Sequence, residues 1–275
     1  MPDMKEPRYF AGDLRVLLAP EPGAVPETLE EYLALFAAAA PTQRIGEASP
    51  SYLRSSEAAA GIAELQPDAR IIAIFREPAS FLRSLHLHLL QEHVETETDF
   101  REAFAGEEIT RHGRRVRRYS DHVRYVEQLR RFHAVFPREQ VLVLIYEDFR
   151  ADNASTLRTV LRFLDVDDAQ PIEVREANPA VSVRHVRIDR LMRALAAGRG
   201  PFASTLRATF KALTSQRLRR TVVHPLRRKL VYGEPPPPDE QFMLELRRRF
   251  KPEVVALSEY LGRDLVTLWG YDSVE

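Results

Sequence analysis

The sequence contains no cysteine, only four lysines and no long apolar run. The missing cysteine and the missing apolar run each exclude certain kinds of site or classes of protein. Without cysteine there can be no disulfide, no thiolate metal site and no cysteine nucleophile. The longest apolar stretch, residues 32–40, is too short to cross a bilayer, and residues 1–10 lack the apolar run of a secretory signal. We therefore expect a globular, cytoplasmic protein.

An excess of either charge is also missing, because 40 basic and 40 acidic residues give a formal net charge of zero. No overall field attracts nucleic acid, so we expect no nucleic-acid partner. With 275 residues, of which 44% are hydrophobic, the chain can bury a sizeable core. We expect one domain over residues 1–275.

The most informative stretch is RIIAIFREPASFLRS, residues 70–84. Ile71–Phe75 is a continuous apolar run, typical of a parallel strand covered on both faces, and Pro78 suits the first position of a helix. An anion at this helix start would meet unpaired backbone N–H groups and the Arg76 guanidinium, with Ser84 about two turns further on. The pattern therefore predicts a phosphate site, although an ordinary strand-to-helix turn with a solvated arginine fits it too.

Helix and strand patterns alternate along the chain. Helical spacing covers residues 26–40, 56–65, 119–136 and 241–261, and residues 140–146 form a second apolar strand. Such alternation predicts an α/β fold, with a parallel sheet and helices on both of its faces. Glu147 and Asp148, which follow the second strand, are expected to cap the helix from about Ala154 to Leu164.

KEPRYF, residues 5–10, places a charged pair before a proline and two aromatic side chains. The pattern predicts an extended segment whose polar end is exposed, and a frayed terminus is the alternative.

Three motifs together resemble sulfotransferases that use 3′-phosphoadenosine 5′-phosphosulfate, in particular the heparan sulfate and bacterial carbohydrate group. Arg76, Pro78 and Ser84 resemble the segment that binds the donor's 3′-phosphate. KEPRYF resembles the K-E-x-x-[FY]-F motif that supplies the catalytic base, and RIGEASPSYL, residues 44–53, resembles G-E-x-[ST]-P-x-Y-L near the acceptor.

This resemblance implies a P-loop-like α/β fold and transfer of a sulfuryl group to a hydroxyl or amine, on a carbohydrate or another small-molecule acceptor. It implies that Glu6 is the general base and that Lys5 steadies charge on the bridging oxygen. Arg76 and Ser84 would bind the donor, and Arg8, Ser49 and Tyr52 would line the acceptor site. No metal is expected, and the alternative is a non-catalytic nucleotide- or glycan-binding relative.

The sequence departs from the family pattern in three places. Phe81 stands where members often have a second arginine, and Arg8 stands where histidine is common. The Gly-rich loop G-x-x-[KR]-[SC]-G-T-[ST], which holds the 5′-phosphosulfate in the family, has no match, and AGRGPFAST at residues 197–205 is a poor substitute. We therefore expect the working enzyme to start some tens of residues upstream.

The remaining motifs give weaker evidence of a function. His86 and His88 are two apart on a predicted helix, so they cannot face one metal ion, and His93 is five residues further on. The basic run at residues 111–118 is either a solvated face or a site for an acidic acceptor. Residues 191–238 are expected to be a basic helical insertion or lid, with a membrane-surface element as the less favoured alternative, and residues 239–275 a closing helix.

Overall fold

A computed structural model describes residues 1–14, 23, 25–92, 94–111, 114–169, 171–172, 182–183, 232–233 and 235–275. Only the backbone is described for residues 109–111, 114–117, 182–183 and 232. His93, the weak loop candidate at 197–205 and nearly all of the predicted insertion at 191–238 lie outside the described residues.

The described helices follow the predicted order. They are α1 (Leu29–Ala34), α2 (Ser51–Arg54), α3 (Ala58–Leu65), α4 (Pro78–Gln91), α5 (Phe100–Ala105), α6 (Tyr125–His133), α7 (Tyr146–Ala151), α8 (Asn153–Phe163), α9 (Glu240–Leu261) and α10 (Leu265–Leu268). Short 3-10 turns cover Gly12–Leu14, Ser120–Val123 and Arg138–Gln140. No helix within the described ranges is long and apolar enough to span a bilayer.

The strands form three pairs in the described part of the chain. They are β1 (Ile71–Phe75), β2 (Glu108–Arg111), β3 (Arg114–Arg117), β4 (Val141–Ile145), β5 (Ser182–Val183) and β6 (Tyr232–Gly233). The strands β1 and β4 run parallel, whereas β2 with β3 and β5 with β6 are antiparallel. The predicted parallel sheet with flanking helices is therefore confirmed, and the basic run at 111–118 contributes to a hairpin.

The two faces of β1 differ. Ala73 and Phe75 are 2% and 1% exposed, whereas Ile72 and Ile74 are 40% and 47% exposed. Because successive side chains of a strand point to opposite faces, only one face of β1 is buried. The prediction of a strand covered on both faces is therefore wrong for this strand.

The chain forms two compact units. The first comprises Met1–Pro78, Glu108–Arg175 and Leu246–Glu275, and the second comprises Ala79–Glu107 and Glu176–Glu245. The first unit contains the β1–β4 sheet and its buried side chains, each of which stabilises the fold by roughly 1.5–3 kcal/mol when fully buried. These include Phe75, Tyr119, Leu129, Phe136, Leu257, Leu265 and Tyr271. The prediction of a single domain stays a prediction.

The first helix is shorter than predicted. It begins at Leu29, after Thr28 and Glu31 form a reciprocal capping box, and not at Pro26. Tyr32 is buried as expected, but Leu29 and Leu33 are 41% and 49% exposed, so the predicted apolar face is only partly used.

Two further elements differ from expectation. Residues 44–49 form no strand, and Ser51–Arg54 form a helical turn instead. The helix predicted over 119–136 is interrupted at Arg124, which separates the turn Ser120–Val123 from α6.

The capping role predicted for Glu147 and Asp148 is wrong. Both lie in the first turn of α7, and the side chain of Asp152 caps α8 by accepting from the Ser155 amide. Glu147 instead accepts from Trp269 Nε1 at 2.8 Å, and Asp148 accepts from both terminal nitrogens of Arg263 at 2.5 and 2.7 Å. The two carboxylates therefore fasten the C-terminal segment to the end of β4.

Candidate functional site

The segment that carries the predicted base is not extended. Glu6 and Arg8 hold φ angles of 54° and 56°, in the left-handed region that side chains other than glycine rarely adopt. Such a conformation costs about 1–3 kcal/mol per residue and is concentrated at functional sites. Arg8 Nη2 binds Glu6 Oε2 at 2.5 Å, so the strained backbone holds an ion pair.

Ser49 connects this segment to the motif at 44–53. Its hydroxyl accepts a hydrogen bond from the Arg8 amide at 3.1 Å and donates one to Glu47 Oε2 at 2.8 Å. With 7% of its surface exposed, Ser49 is a buried link between two segments that are some forty residues apart in sequence. We refer to Glu6, Arg8, Glu47, Ser49 and Tyr52 as the Glu6 cluster.

Tyr52 completes the Glu6 cluster from α2. Its hydroxyl accepts from the Phe10 amide at 3.5 Å, and its ring lies 5.8 Å from the ring of Phe10. Burial is the main reason that the pKa of Tyr52 lies well above its ordinary value, and the neighbouring Glu47 carboxylate adds to the rise. Tyr52 therefore remains a neutral phenol at physiological pH.

Aromatic packing anchors the base-bearing segment. The Tyr9 ring stacks on Tyr32 with centroids 4.8 Å apart, and Phe10 meets Tyr32 edge-on at 5.1 Å. A Cβ at Gly61 would lie 3.2 Å from Phe10 Cδ1, so glycine at this position allows the ring to approach α3. Residues 9 and 10 are therefore packed, which contradicts a frayed terminus.

Glu47 was missed by the sequence reasoning, although it belongs to the quoted motif at 44–53. Burial raises the pKa of Glu47, the hydroxyls of Tyr52 and Ser49 partly offset this effect, and the charge of Glu6 raises the pKa further. The environment of Glu47 thus favours its protonated form.

Lys5 does not join the Glu6 cluster. Its side chain is exposed and forms no hydrogen bond or ion pair with any described residue. Its predicted role at the bridging oxygen stays a prediction.

Arg76 stands at the carboxyl end of β1, as predicted, and two tyrosines contact it, one at the side chain and one at the backbone. The guanidinium lies over the Tyr146 ring, 4.8 Å from its centroid, and the Arg76 carbonyl accepts from the Tyr125 hydroxyl at 2.9 Å. No hydrogen bond to a described residue occupies the guanidinium N–H groups. They remain able to bind an anion.

Behind Arg76 lies a buried acid. Glu77 is 4% exposed and accepts a hydrogen bond from the Tyr271 hydroxyl at 2.5 Å, and Arg247 Nε lies 3.9 Å from the same carboxylate oxygen. Burial, followed by the charge of Glu77, holds the pKa of Tyr271 far above its ordinary value. The turn between β1 and α4 is thus fixed by the C-terminal segment.

Ser84 lies on α4 and is exposed. It belongs to the second unit, whereas Arg76 belongs to the first. The predicted joint binding of one phosphate by the two residues therefore stays a prediction.

The second unit contains the histidines of α4. His86 is 2% exposed, stacks on Phe100 with centroids 5.1 Å apart, and has Nε2 3.3 Å from the Thr98 carbonyl oxygen. Burial lowers the pKa of His86, so the ring is a neutral packing residue. Among the described residues, no group of three or more histidine and acidic side chains could hold a metal ion.

Comparison with known proteins points to one family. A model described as "Sulfotransferase family" matches residues 23–170, more than half of the chain. A crystal structure of a sulfotransferase from Alicyclobacillus acidocaldarius aligns with a TM-score of 0.62 and 22% identity, over 98% of this chain and 87% of the other. No curated protein matches the sequence. The family match contains Ser49, Tyr52, Arg76 and Ser84, while Lys5, Glu6 and Arg8 precede it.

Proposed function

We propose, from the premise that the chain belongs to the sulfotransferase family, that it transfers a sulfuryl group from 3′-phosphoadenosine 5′-phosphosulfate to an acceptor hydroxyl or amine. We further propose that the acceptor is a carbohydrate and that Glu6 is the general base. The observation that carries this proposal is the family match over residues 23–170, which contains the strand, turn and helix around Arg76. Sulfuryl transfer in general follows from the family, and the identities of donor, acceptor and base are the proposal.

The donor end is built on the turn between β1 and α4. The Arg76 guanidinium follows directly on β1 and has no described hydrogen-bond partner, so we assign it to the dianionic 3′-phosphate of the donor. Arginine suits this task because its planar donors match phosphate oxygens in pairs. The Tyr146 ring restricts the guanidinium before the ligand arrives, which reduces the entropy lost on binding.

The acceptor end is the Glu6 cluster. Arg8 binds Glu6 through Oε2, and no described residue donates a hydrogen bond to Oε1, so this oxygen is open to an acceptor hydroxyl. In the proposed step the acceptor oxygen forms a bond to sulfur, and the bond between sulfur and the bridging oxygen of the donor breaks. Glu6 takes the acceptor proton, and 3′,5′-adenosine bisphosphate leaves with the bonding electron pair.

The remaining predicted residues support this step. We assign Lys5 to the charge that develops on the bridging oxygen, because an exposed ammonium without a competing carboxylate can reorient toward it. Arg8, Ser49 and Tyr52 shape the acceptor side, where Ser49 and Tyr52 hold the backbone of residues 8 and 10 in place.

The test is transfer of radiolabelled sulfate from the donor to a panel of mono- and oligosaccharides, run beside calorimetric binding of 3′,5′-adenosine bisphosphate. Transfer together with binding supports the proposal. Binding without transfer to any acceptor would favour the non-catalytic relative. Absence of both would overturn the assignment of the donor.

A further inference from the structure

Arg54, the last residue of α2, is half-buried, and no described side chain or backbone group binds its guanidinium. Neighbouring arginines of the first unit behave differently. Arg131 donates to the Leu53 carbonyl at 2.7 Å and to Glu127 at 2.8 Å, and Arg8 is paired with Glu6. Arg54 therefore differs from Arg8 and Arg131, because it has no hydrogen bond to a described residue.

The two acids that influence Arg54 do not bind it. Asp13 uses one oxygen for the Ser55 hydroxyl at 2.6 Å and the other for the amide and hydroxyl of Ser56, at 3.0 and 2.8 Å. Asp121 acts on Arg54 through its charge alone. Neither carboxylate neutralises the guanidinium by direct contact.

Partial removal from water is the main influence on the pKa of Arg54. Desolvation lowers the pKa of Arg54 to about 10, the charge of Arg8 acts in the same direction, and the charges of Asp121 and Asp13 oppose it only in part. His122 adds no second positive charge, because burial and the Arg54 charge keep the pKa of its ring well below the ordinary value and so favour the neutral ring. A desolvated cation without a contact partner is destabilising unless a ligand supplies the missing anion.

The position of Arg54 connects it to the Glu6 cluster. It shares α2 with Tyr52, and its charge and that of Arg8 influence each other. An anion bound at Arg54 would therefore lie at the end of the helical turn that carries Tyr52 of the Glu6 cluster.

We propose that Arg54 is an oxyanion-binding residue beside the Glu6 cluster, which holds a sulfate, phosphate or carboxylate group of a substrate. The source of this group rests on the proposed function, since it is either an acidic substituent of the acceptor or the phosphosulfate end of the donor. The binding of an oxyanion itself does not depend on the activity. Arginine fits this role because its fork of donors binds such groups in a bidentate manner.

The first arm of the test isolates Arg54 from the Arg76 site. Inorganic sulfate is titrated calorimetrically into the full-length Arg76→Gln protein at constant ionic strength. We expect saturable binding that weakens at least tenfold when Arg54→Gln is added, and less when Arg54→Lys is added. The matched control is Arg150→Gln, which removes an exposed arginine of α7 and should leave sulfate affinity unchanged.

A second readout separates binding from a structural role. Loss of a structural arginine would lower the midpoint of thermal unfolding, whereas loss of an uncompensated, desolvated charge should leave it unchanged or raise it. The proposal would be overturned if Arg54→Gln left the sulfate affinity unchanged. It would also be overturned if the variant lost affinity and had a lowered midpoint of thermal unfolding that added sulfate did not restore.

The third arm identifies the source of the anion in the wild-type protein saturated with 3′,5′-adenosine bisphosphate. If sulfate still binds and remains sensitive to Arg54→Gln, the group belongs to the acceptor; if the nucleotide displaces it, the group belongs to the donor. Failure of the nucleotide to bind would count against the proposed function, while the first arm would still decide the role of Arg54.

Discussion

The Tyr271 hydroxyl donates a hydrogen bond of 2.5 Å to the carboxylate of Glu77, and both side chains are buried, at 0% and 4% exposed. Glu77 lies between Arg76 and Pro78, at the turn where the proposed phosphate site begins. A residue four positions from the C-terminal end of the sequence therefore supports a turn formed almost two hundred residues earlier.

We expect Tyr271→Phe to destabilise the protein by about 1–3 kcal/mol, because it leaves a buried carboxylate without one of its donors. The measurement is equilibrium unfolding in urea with an unchanged m-value. Tyr260→Phe is the control, since it removes a phenol hydroxyl from the partly exposed His133 and should have a smaller effect. Equal effects of the two substitutions would show that the hydrogen bond from Tyr271 to Glu77 stabilises the protein no more than the contact between Tyr260 and His133 does.

We expect Arg76→Ala to weaken binding of 3′,5′-adenosine bisphosphate at least tenfold, because a hydrogen bond to a charged group contributes about 1.5–3 kcal/mol. Ser84→Ala should reduce the affinity less. Calorimetric titration measures both, and Arg150→Ala on the exposed side of α7 is the control. Unchanged affinity in both variants would remove the phosphate assignment.

The stacking of Arg76 on Tyr146 leads to a separate expectation. Tyr146→Leu should weaken nucleotide binding a few-fold, since the guanidinium loses its aromatic support, whereas Tyr146→Phe keeps a ring and should bind as the wild type does. If both variants bind alike and weakly, the phenol hydroxyl and not the ring is the important group.

The local sequence pattern was sufficient to predict the strands that consist of uninterrupted apolar runs and the helix that follows the first of them. Ile71–Phe75 and Val141–Ile145 are strands because apolar, β-branched runs of this length favour them, and α4 begins at Pro78 because proline suits a first helical position. The parallel pairing followed from the helices between the strands.

The features that the sequence did not predict depend on contacts between residues that are far apart in the chain. The left-handed backbone at Arg8 is supported by Ser49, 41 positions away, and Glu147 binds Trp269, 122 positions away. No local pattern encodes such partners. Glu47 could have been found within its motif, but only the structure shows the burial and the neighbouring Glu6 charge that raise its pKa.

The raised pKa of Glu47 predicts a specific pH dependence of stability. Because the folded-state pKa lies above the ordinary value of 4.5, the stabilisation from this group is fully present below that value and is lost as the pH rises through the folded pKa. Glu47→Gln mimics the protonated form. The free energy of unfolding of this variant, relative to that of the wild type, should therefore increase as the pH rises from 4.5 to the folded-state pKa, by at most about 1.4 kcal/mol per pH unit. Urea unfolding of both proteins between pH 4 and 7 measures the difference, and a difference independent of pH would contradict the assignment.

The proposed base gives the sharpest prediction. Glu6→Gln should reduce sulfuryl transfer by about a hundredfold or more, because general-base catalysis contributes roughly 10²–10⁴ in rate, while nucleotide affinity changes only a few-fold. The glutamine can still accept a hydrogen bond from Arg8, so the left-handed segment should survive, and the unfolding midpoint checks that it does. Glu57→Gln is the matched control, because Glu57 is also a carboxylate bound to the N-terminal segment, through the Asp13 amide, yet lies outside the Glu6 cluster. Near-normal turnover in Glu6→Gln would place the base elsewhere, and equal losses in both variants would show that the segment, and not the carboxylate of Glu6, is what transfer requires.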